Sequence, residues 1–174
     1  SPAFDRFAVI DVPKERDRMR RELGLSETDH MILYAGQGTP HHIEADKETF
    51  RFICDAIRLL SKTMPVKLIA RHHPRAEDFS YYDEYSRGIE IVDTFGFEFA
   101  DEIIPAADAV MSMSSTLSLH ACFLRVPSVN VLLPEQGRAM LKTIGLDDFP
   151  PNLTGASVGI YEEDPEALKK LLEK

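Results

Sequence analysis

The sequence contains no apolar run approaching the length of a membrane span, and no signal peptide opens it. Neither a membrane-crossing helix nor an export signal is expected. It is also short of positive charge: 20 Lys and Arg stand against 29 Asp and Glu, for a net charge of −9. A phosphate backbone or an anionic membrane is held by a broad basic field, so nucleic-acid and anionic-membrane surfaces are excluded as partners. Any anion must be bound locally. Cysteine is scarce as well. Cys54 and Cys122 form no CxxC pair, and both fall within expected helices. Buried free thiols behaving as small hydrophobes in a reducing cytoplasm are expected, since sequence gives no distance that would support a disulfide. There is no low-complexity segment and no internal repeat.

What is present suits one domain spanning 1–174. A chain of 174 residues, 44% hydrophobic and 28% charged, has the composition of a globular protein with a sizeable core. Its opening Ser1-Pro2-Ala3-Phe4 lacks an initiator methionine, as expected of an excised piece or a processed product.

Strand and helix signals alternate along nearly the whole length. Pro13 to Leu23 reads as a charged helix stopped by Gly24. Met31 to Ala35 is a strand closing on Gly36-Gln37-Gly38. Asp46 to Thr63 follows as a helix, with Phe50, Ile53, Cys54, Ile57 and Leu60 as its apolar stripe. Val66 to Ala70 is the next strand and runs into Arg71-His72-His73-Pro74. A helix near Ala76 to Ser86, a strand Ile89 to Val92 and a short helix Phe99 to Ala106 come next. Ala109 to Met113, Ser128 to Leu132 and Val158 to Tyr161 are the remaining strands. Helices are expected at Leu117 to Leu124, at Glu135 to Ile144 and from Pro165. Apolar strands alternating with helices imply an α/β, Rossmann-like doubly wound parallel sheet of about six strands, with helices on both faces.

One stretch carries more chemistry than the rest. The apolar run Ala109 to Met113 ends abruptly in Ser114, Ser115 and Thr116, and the helix follows at once. Hydroxyls at a helix N-terminus lie beside unpaired N–H groups and the positive end of the helix dipole, which favour an anion. The same residues could simply cap the helix. In a doubly wound sheet, ligands bind at the carboxyl ends of the strands where strand order reverses. With the order 3-2-1-4-5, that rule brings Gly36 to His42 beside Ser112 to Thr116, with Arg71, His72 and His73 on the same edge. This convergence favours a ligand site over capping alone. The pairs His41-His42 and His72-His73 offer a metal-site alternative, but no carboxylate or thiol stands at an obvious ligand spacing, so no metal is expected. Asp101 and Glu102 read as a solvated helix face, and Tyr81, Tyr82 and Tyr85 as packing rather than a nucleobase platform.

Four elements recur in a recognisable order. They are Ser1-Pro2-Ala3-Phe4-Asp5; Gly36-Gln37-Gly38; Arg71-x-His73-Pro74; and Ala107-Asp108 through Ser114-Ser115 to Ala121, Pro127 and Val129. Together they resemble the C-terminal, donor-binding half of a GT-B-type glycosyltransferase, near the group that includes UDP-N-acetylglucosamine 2-epimerase and the CDP-glycerol glycerophosphotransferases. The resemblance implies that Ser114, Ser115 and Thr116 hold a donor diphosphate, with Gly36, Gly38, Arg71 and His73 lining the same site. His73 would hydrogen-bond a phosphate or aid leaving-group departure, as an imidazole titrating near neutral pH can. It is the catalytic candidate. His120 stands where the family carries a ribose-binding glutamate, and imidazole cannot accept two hydroxyls as a carboxylate does. Arg125 stands where a glycine is common.

The implied parent transfers a nucleotide-activated sugar or polyol in surface polysaccharide or cell-envelope synthesis, without a metal or other cofactor. Its acceptor site and much of its machinery would come from an N-terminal domain absent here, so the isolated domain should not turn over. A cytoplasmic location is expected, with any membrane contact made through that other domain. Two alternatives remain open: half of a 2-epimerase-like enzyme, and a non-catalytic nucleotide-binding or interaction module.

Overall fold

A computed structural model describes residues 5–37, 42–73, 78, 80–92, 94, 102–135, 137–143 and 145–173. After a 3-10 turn at Arg6–Val9, the chain runs through α1 (Val12–Glu22), β1 (His30–Ala35), α2 (Ile43–Leu60), β2 (Val66–Arg71), α3 (Ser80–Tyr85) and β3 (Glu90–Ile91). A 3-10 turn at Ile104–Ala106 leads into β4 (Ala109–Ser112), α4 (Thr116–Phe123), β5 (Ser128–Val131), α5 (Gly137–Thr143), α6 (Pro150–Leu153), β6 (Val158–Ile160) and α7 (Pro165–Leu172). The strands form one parallel sheet in the order β3-β2-β1-β4-β5-β6. This is the expected Rossmann-like α/β architecture, and order reverses between β1 and β4.

Successive strand residues point to opposite faces, and both faces are buried, which is why the strands read as apolar runs rather than alternating ones. Ile32, Tyr34, Leu68, Met111 and Val129 pack with the stripe Phe50, Ile53, Cys54, Ile57 and Leu60 of α2 and with Leu168 of α7. Met31, Leu33, Ile69 and Val110 pack on the other side with Met19 of α1 and Ala121 of α4. Every member of the α2 stripe is fully buried. Truncating one such leucine or isoleucine to alanine costs about 2–5 kcal/mol.

Polar devices fix where elements start and stop. The Asp11 carboxylate accepts the Lys14 N–H at 3.2 Å and Pro13 occupies the first turn of α1. From that helix, Arg16 reaches Asp108 at 2.6 Å, and Arg20 donates to the carbonyls of Ala106, Ser26 and Asp29 at 3.0, 2.8 and 2.6 Å. Asp108 also accepts the Met31 N–H at 2.8 Å, so one carboxylate aligns the start of β1 with the entry to β4. The α4 helix ends with Arg125 at φ +57°, its N–H on the Cys122 carbonyl and the Val126 N–H on that of Ala121. That is a Schellman closure, which normally takes glycine at this position.

The differences from expectation are local. Helix α2 begins three residues before Asp46. Of the helix expected at 99–106, residues 99–101 lie outside the described set and Ile104–Ala106 forms a single 3-10 turn. The four-residue α6 is too short to show periodicity, and nothing in the sequence pattern announced it. Cys54 is buried and free as expected, whereas Cys122 is free but only partly buried. No helix among the described residues is long and apolar enough to cross a membrane.

Candidate functional site

The strand register sets the geometry of the carboxyl edge. Ala35 pairs with Arg71 on one side and with Ser112 on the other, Ser112 pairs with Asn130, and Asn130 with Gly159. Arg71, Ala35, Ser112 and Asn130 therefore lie on one rung. At a strand spacing of about 4.8 Å, the backbones of Arg71 and Ser112 are roughly 10 Å apart. The loop after β1 and the turn after β4 leave the sheet side by side at the point where strand order reverses.

The hydroxyl turn is held from beneath. Ser112, fully buried, accepts the Ser115 N–H at 3.1 Å and lies 2.7 Å from the Ser118 hydroxyl and 3.4 Å from Asn130 Oδ1. Asn130 Nδ2 donates to Ser157 Oγ and Asn152 Oδ1, both at 2.9 Å, and Asn152 donates to Asp148 at 2.9 Å. Tyr161 donates to the other oxygen of Asp148. Burial opposes ionisation of Asp148, but the hydrogen bonds from Tyr161, Asn152 and the Phe149 N–H outweigh it and hold the carboxyl below its ordinary range. A polar chain thus runs from the turn beneath α4 to the segment after β6.

Within the turn, the three hydroxyl residues have different positions. Ser115 is the N-cap of α4: its Oγ accepts the Leu117 N–H at 3.2 Å, so capping accounts for that hydroxyl. Ser114 Oγ lies 3.8 Å from Met140 Sδ. Thr116 is exposed at the first helical position, where the backbone N–H has no acceptor within the helix. Thr116 and Ser114 are therefore the residues best placed to meet an anion at this helix end.

The glycine loop holds a feature the sequence did not disclose. Asp46, in the first turn of α2, is fully buried. Its Oδ1 accepts Tyr34 Oη at 2.6 Å and the Gln37 N–H at 2.7 Å; its Oδ2 accepts Tyr82 Oη at 2.8 Å and also Tyr81 Oη. Burial, and then the adjacent Asp46 charge, push the Tyr34 and Tyr82 hydroxyls above the ordinary phenol range; Tyr81 shifts the same way. These tyrosines pack as expected, but around a carboxylate. Gly36 donates its N–H to the Arg71 carbonyl at 2.9 Å. The Gly36 and Gln37 N–H groups are thus used internally, and Gly36 contributes close approach rather than a donor. Gly38 and His41 lie outside the described residues.

Arg71 ends β2, partly buried, and its Nη1 donates to Thr94 Oγ1 at 3.0 Å. His73 follows partly buried; His72 is exposed, its Nδ1 3.3 Å from the His73 carbonyl. His120 lies one helical turn beyond Thr116, and its ring packs against Phe7 at 4.8 Å between centroids. Glu102 is exposed, as a solvated face requires, and Asp101 lies outside the described residues. Beyond β5 and β6, a cavity of about 450 Å³ is lined by Glu48, Glu135, Glu162 and Glu163 together with Leu133 and Pro134. Burial and the neighbouring Glu163 and Glu135 charges raise the Glu48 carboxyl above its ordinary range. That cavity is unfavourable for phosphate.

No protein-family model and no characterised protein sequence matches the chain. Solved structures do. The wall teichoic acid polymerase TagF, soaked with CDPG, matches at 20% identity and a TM-score of 0.58, over 94% of this chain and 39% of the polymerase chain. The ADP-heptose lps heptosyltransferase II of E. coli matches at 18% identity and 0.55, over 92% of this chain and 50% of that one. The UDP-GlcNAc 2-epimerase of Methanocaldococcus jannaschii, in complex with UDP-GlcNAc and UDP, matches at 19% identity and 0.53, over 92% and 42%. These neighbours share the GT-B fold, and the chain has the fold of one half of it.

Proposed function

We propose that the chain is the donor-binding half of a GT-B glycosyltransferase that takes a nucleotide-activated sugar or polyol in cell-envelope polymer synthesis. The observation that carries this reading is the rung Arg71–Ala35–Ser112. It brings the loop after β1, the Arg71-His73 run and the hydroxyl turn to one crossover edge. In this reading the diphosphate lies against Ser114, Thr116 and the N-terminus of α4, with Ser115 fixing the turn. Arg71 and the helix dipole stabilise charge on the departing nucleoside diphosphate, and His73 hydrogen-bonds a phosphate oxygen or protonates the leaving group. His120 lies one turn further along α4, with its ring against Phe7. No metal is required.

A 2-epimerase half is less well supported, because such an enzyme is expected to draw catalytic carboxylates from both halves. Among the described residues, the carboxylate at the β1 loop, Asp46, is fully buried and saturated by hydrogen bonds.

Calorimetric titration of UDP, CDP, ADP and GDP and their sugar or polyol esters into the full-length parent and into the 174-residue chain tests the reading. A donor cleft between two domains loses half its walls in the single domain. The parent is expected to bind one donor tightly and to transfer or hydrolyse it; the single domain is expected to bind weakly without measurable turnover. A parent that binds none of these nucleotides overturns the site. Robust turnover by the single domain overturns the half-enzyme reading.

A further inference from the structure

We propose that Asp46 is a positioning residue of the ligand edge, acting through the backbone of the loop that leaves β1. The inference rests on the nucleotide-site reading above. Removing a carboxylate from water costs several kcal/mol unless it is well partnered, and apolar residues often serve packing equally well. Asp46 is fully buried, and its described partners are all neutral donors: Tyr34 Oη, Tyr81 Oη, Tyr82 Oη and the Gln37 N–H. The tyrosines would suffice to join α2 to β1 and α3. The Gln37 bond adds something else, because it fixes the backbone where the chain leaves β1.

The surrounding contacts show how tightly that path is set. Gly36 N–H is held by the Arg71 carbonyl at 2.9 Å and Gln37 N–H by Asp46 at 2.7 Å, so consecutive amides are pinned to different elements. A Cβ on Gly36 would come within 1.9 Å of Tyr82 Oη and 3.2 Å of Asp46 Oδ2. The Tyr82 ring in turn stands edge-on to His72, centroids 6.5 Å apart, in the run between Arg71 and His73. One carboxylate therefore sets the Gly36–Gln37 backbone directly and, through Tyr82, its spacing from the end of β2. Displacing a site by a fraction of an ångström is enough to lose affinity without losing the fold.

The test uses the full-length protein, with CDP, UDP and ADP as probes, well below the unfolding midpoint. Asp46→Asn keeps the shape but cannot accept donors at both positions. It is expected to weaken binding of the accepted nucleotide roughly tenfold or more, the scale of a lost hydrogen bond to a charged group. The Gln37 amide resonance should move at the same time. Leu60→Ala, a core change remote from the loop, supplies the stability control and should bind nucleotide normally while folded. If Asp46→Asn does not fold, Tyr34→Phe removes one donor from the oxygen that holds Gln37; a shifted Gln37 resonance with affinity reduced about threefold or more supports the same inference. Normal affinity in whichever variant folds, despite a displaced Gln37 resonance, overturns the positioning role and leaves the site intact. A wild-type protein that binds none of the probes overturns the site and this inference with it.

Discussion

Ser112 Oγ accepts the N–H of Ser115 at 3.1 Å, closing the hydroxyl turn onto the strand that feeds it. Ser115 spends its own hydroxyl on the Leu117 N–H, so the turn is rigid before any ligand arrives. Of its two flanking hydroxyls, that of Ser114 lies on Met140 Sδ at 3.8 Å, and Thr116 is exposed at the first helical position. A rigid turn with outward donors suits anion recognition, because little ordering entropy is lost on binding.

Separate substitutions should divide the two roles. Thr116→Ala is expected to weaken nucleoside diphosphate binding by about 1–3 kcal/mol with little change in melting temperature. Ser115→Ala is expected to lower stability by about 1 kcal/mol through the lost cap, and to weaken binding as the turn loosens. Calorimetry and thermal unfolding of both variants provide the check. Unchanged affinity in both would restrict the turn to capping.

Gly36 should tolerate no side chain. With Tyr82 Oη 1.9 Å from the position of an added Cβ, Gly36→Ala must displace a buried ring, at about 1–3 kcal/mol. Combining it with Tyr82→Phe removes the clashing oxygen and should recover part of the loss. Strictly additive effects in urea denaturation of the double variant would show that the two residues do not meet.

Arg125 holds a backbone conformation that side chains resist, at φ +57°. Arg125→Gly relieves a left-handed strain of about 1–2 kcal/mol and gives back part of it by loosening the unfolded chain. A net gain of about 0.5–1 kcal/mol in denaturant unfolding is expected. A loss would mean that the exposed Arg125 side chain contributes more than the backbone strain costs.

The two thiols should differ in reactivity. Burial pushes the Cys54 thiol up to about 12, so near neutral pH it carries almost no thiolate, the nucleophilic form. Cys122 is partly buried, donates to the Ala156 carbonyl at 3.2 Å, and is raised by burial as well. Iodoacetamide at pH 8 is expected to label Cys122 slowly and Cys54 not at all in the native protein, and both in denaturant. Peptide mass mapping reads the result; native labelling of Cys54 would contradict its burial.

The periodicities in the sequence were sufficient for the elements. Phe50, Ile53, Cys54, Ile57 and Leu60 recur at helical spacing because one side of α2 lies on the sheet, and all are buried. The carboxyl-edge rule placed the loop after β1 beside the turn after β4, with Arg71 on the same edge, and the pairing of β1 with both β2 and β4 has that strand order. Arg125 was noticeable only because the resemblance sets a glycine there, and its positive φ is a backbone geometry that glycine adopts most readily.

Asp46 was not legible. In sequence it is an ordinary acidic residue in the first turn of a helix, where a solvated carboxylate is the common outcome. What buries it is the arrival of Tyr34, Tyr81 and Tyr82 from two other elements, at separations of 12, 35 and 36 residues. Asn130 was hidden in the same way, its partners Ser112, Asn152 and Ser157 being supplied by β4, by α6 and by the segment just before β6.

The sequence by itself determined the parallel α/β class, the helix faces and the placement of hydroxyls at the start of α4, because these follow from local periodicity and from where polar residues interrupt apolar runs. Only the tertiary structure decided which of those hydroxyls is used as a cap, which loop amides are already engaged and which carboxylate lies beneath them. Hydrogen-bond saturation is a property of groups brought together by folding, and no local pattern records which partners the sheet will place within 3 Å of one another.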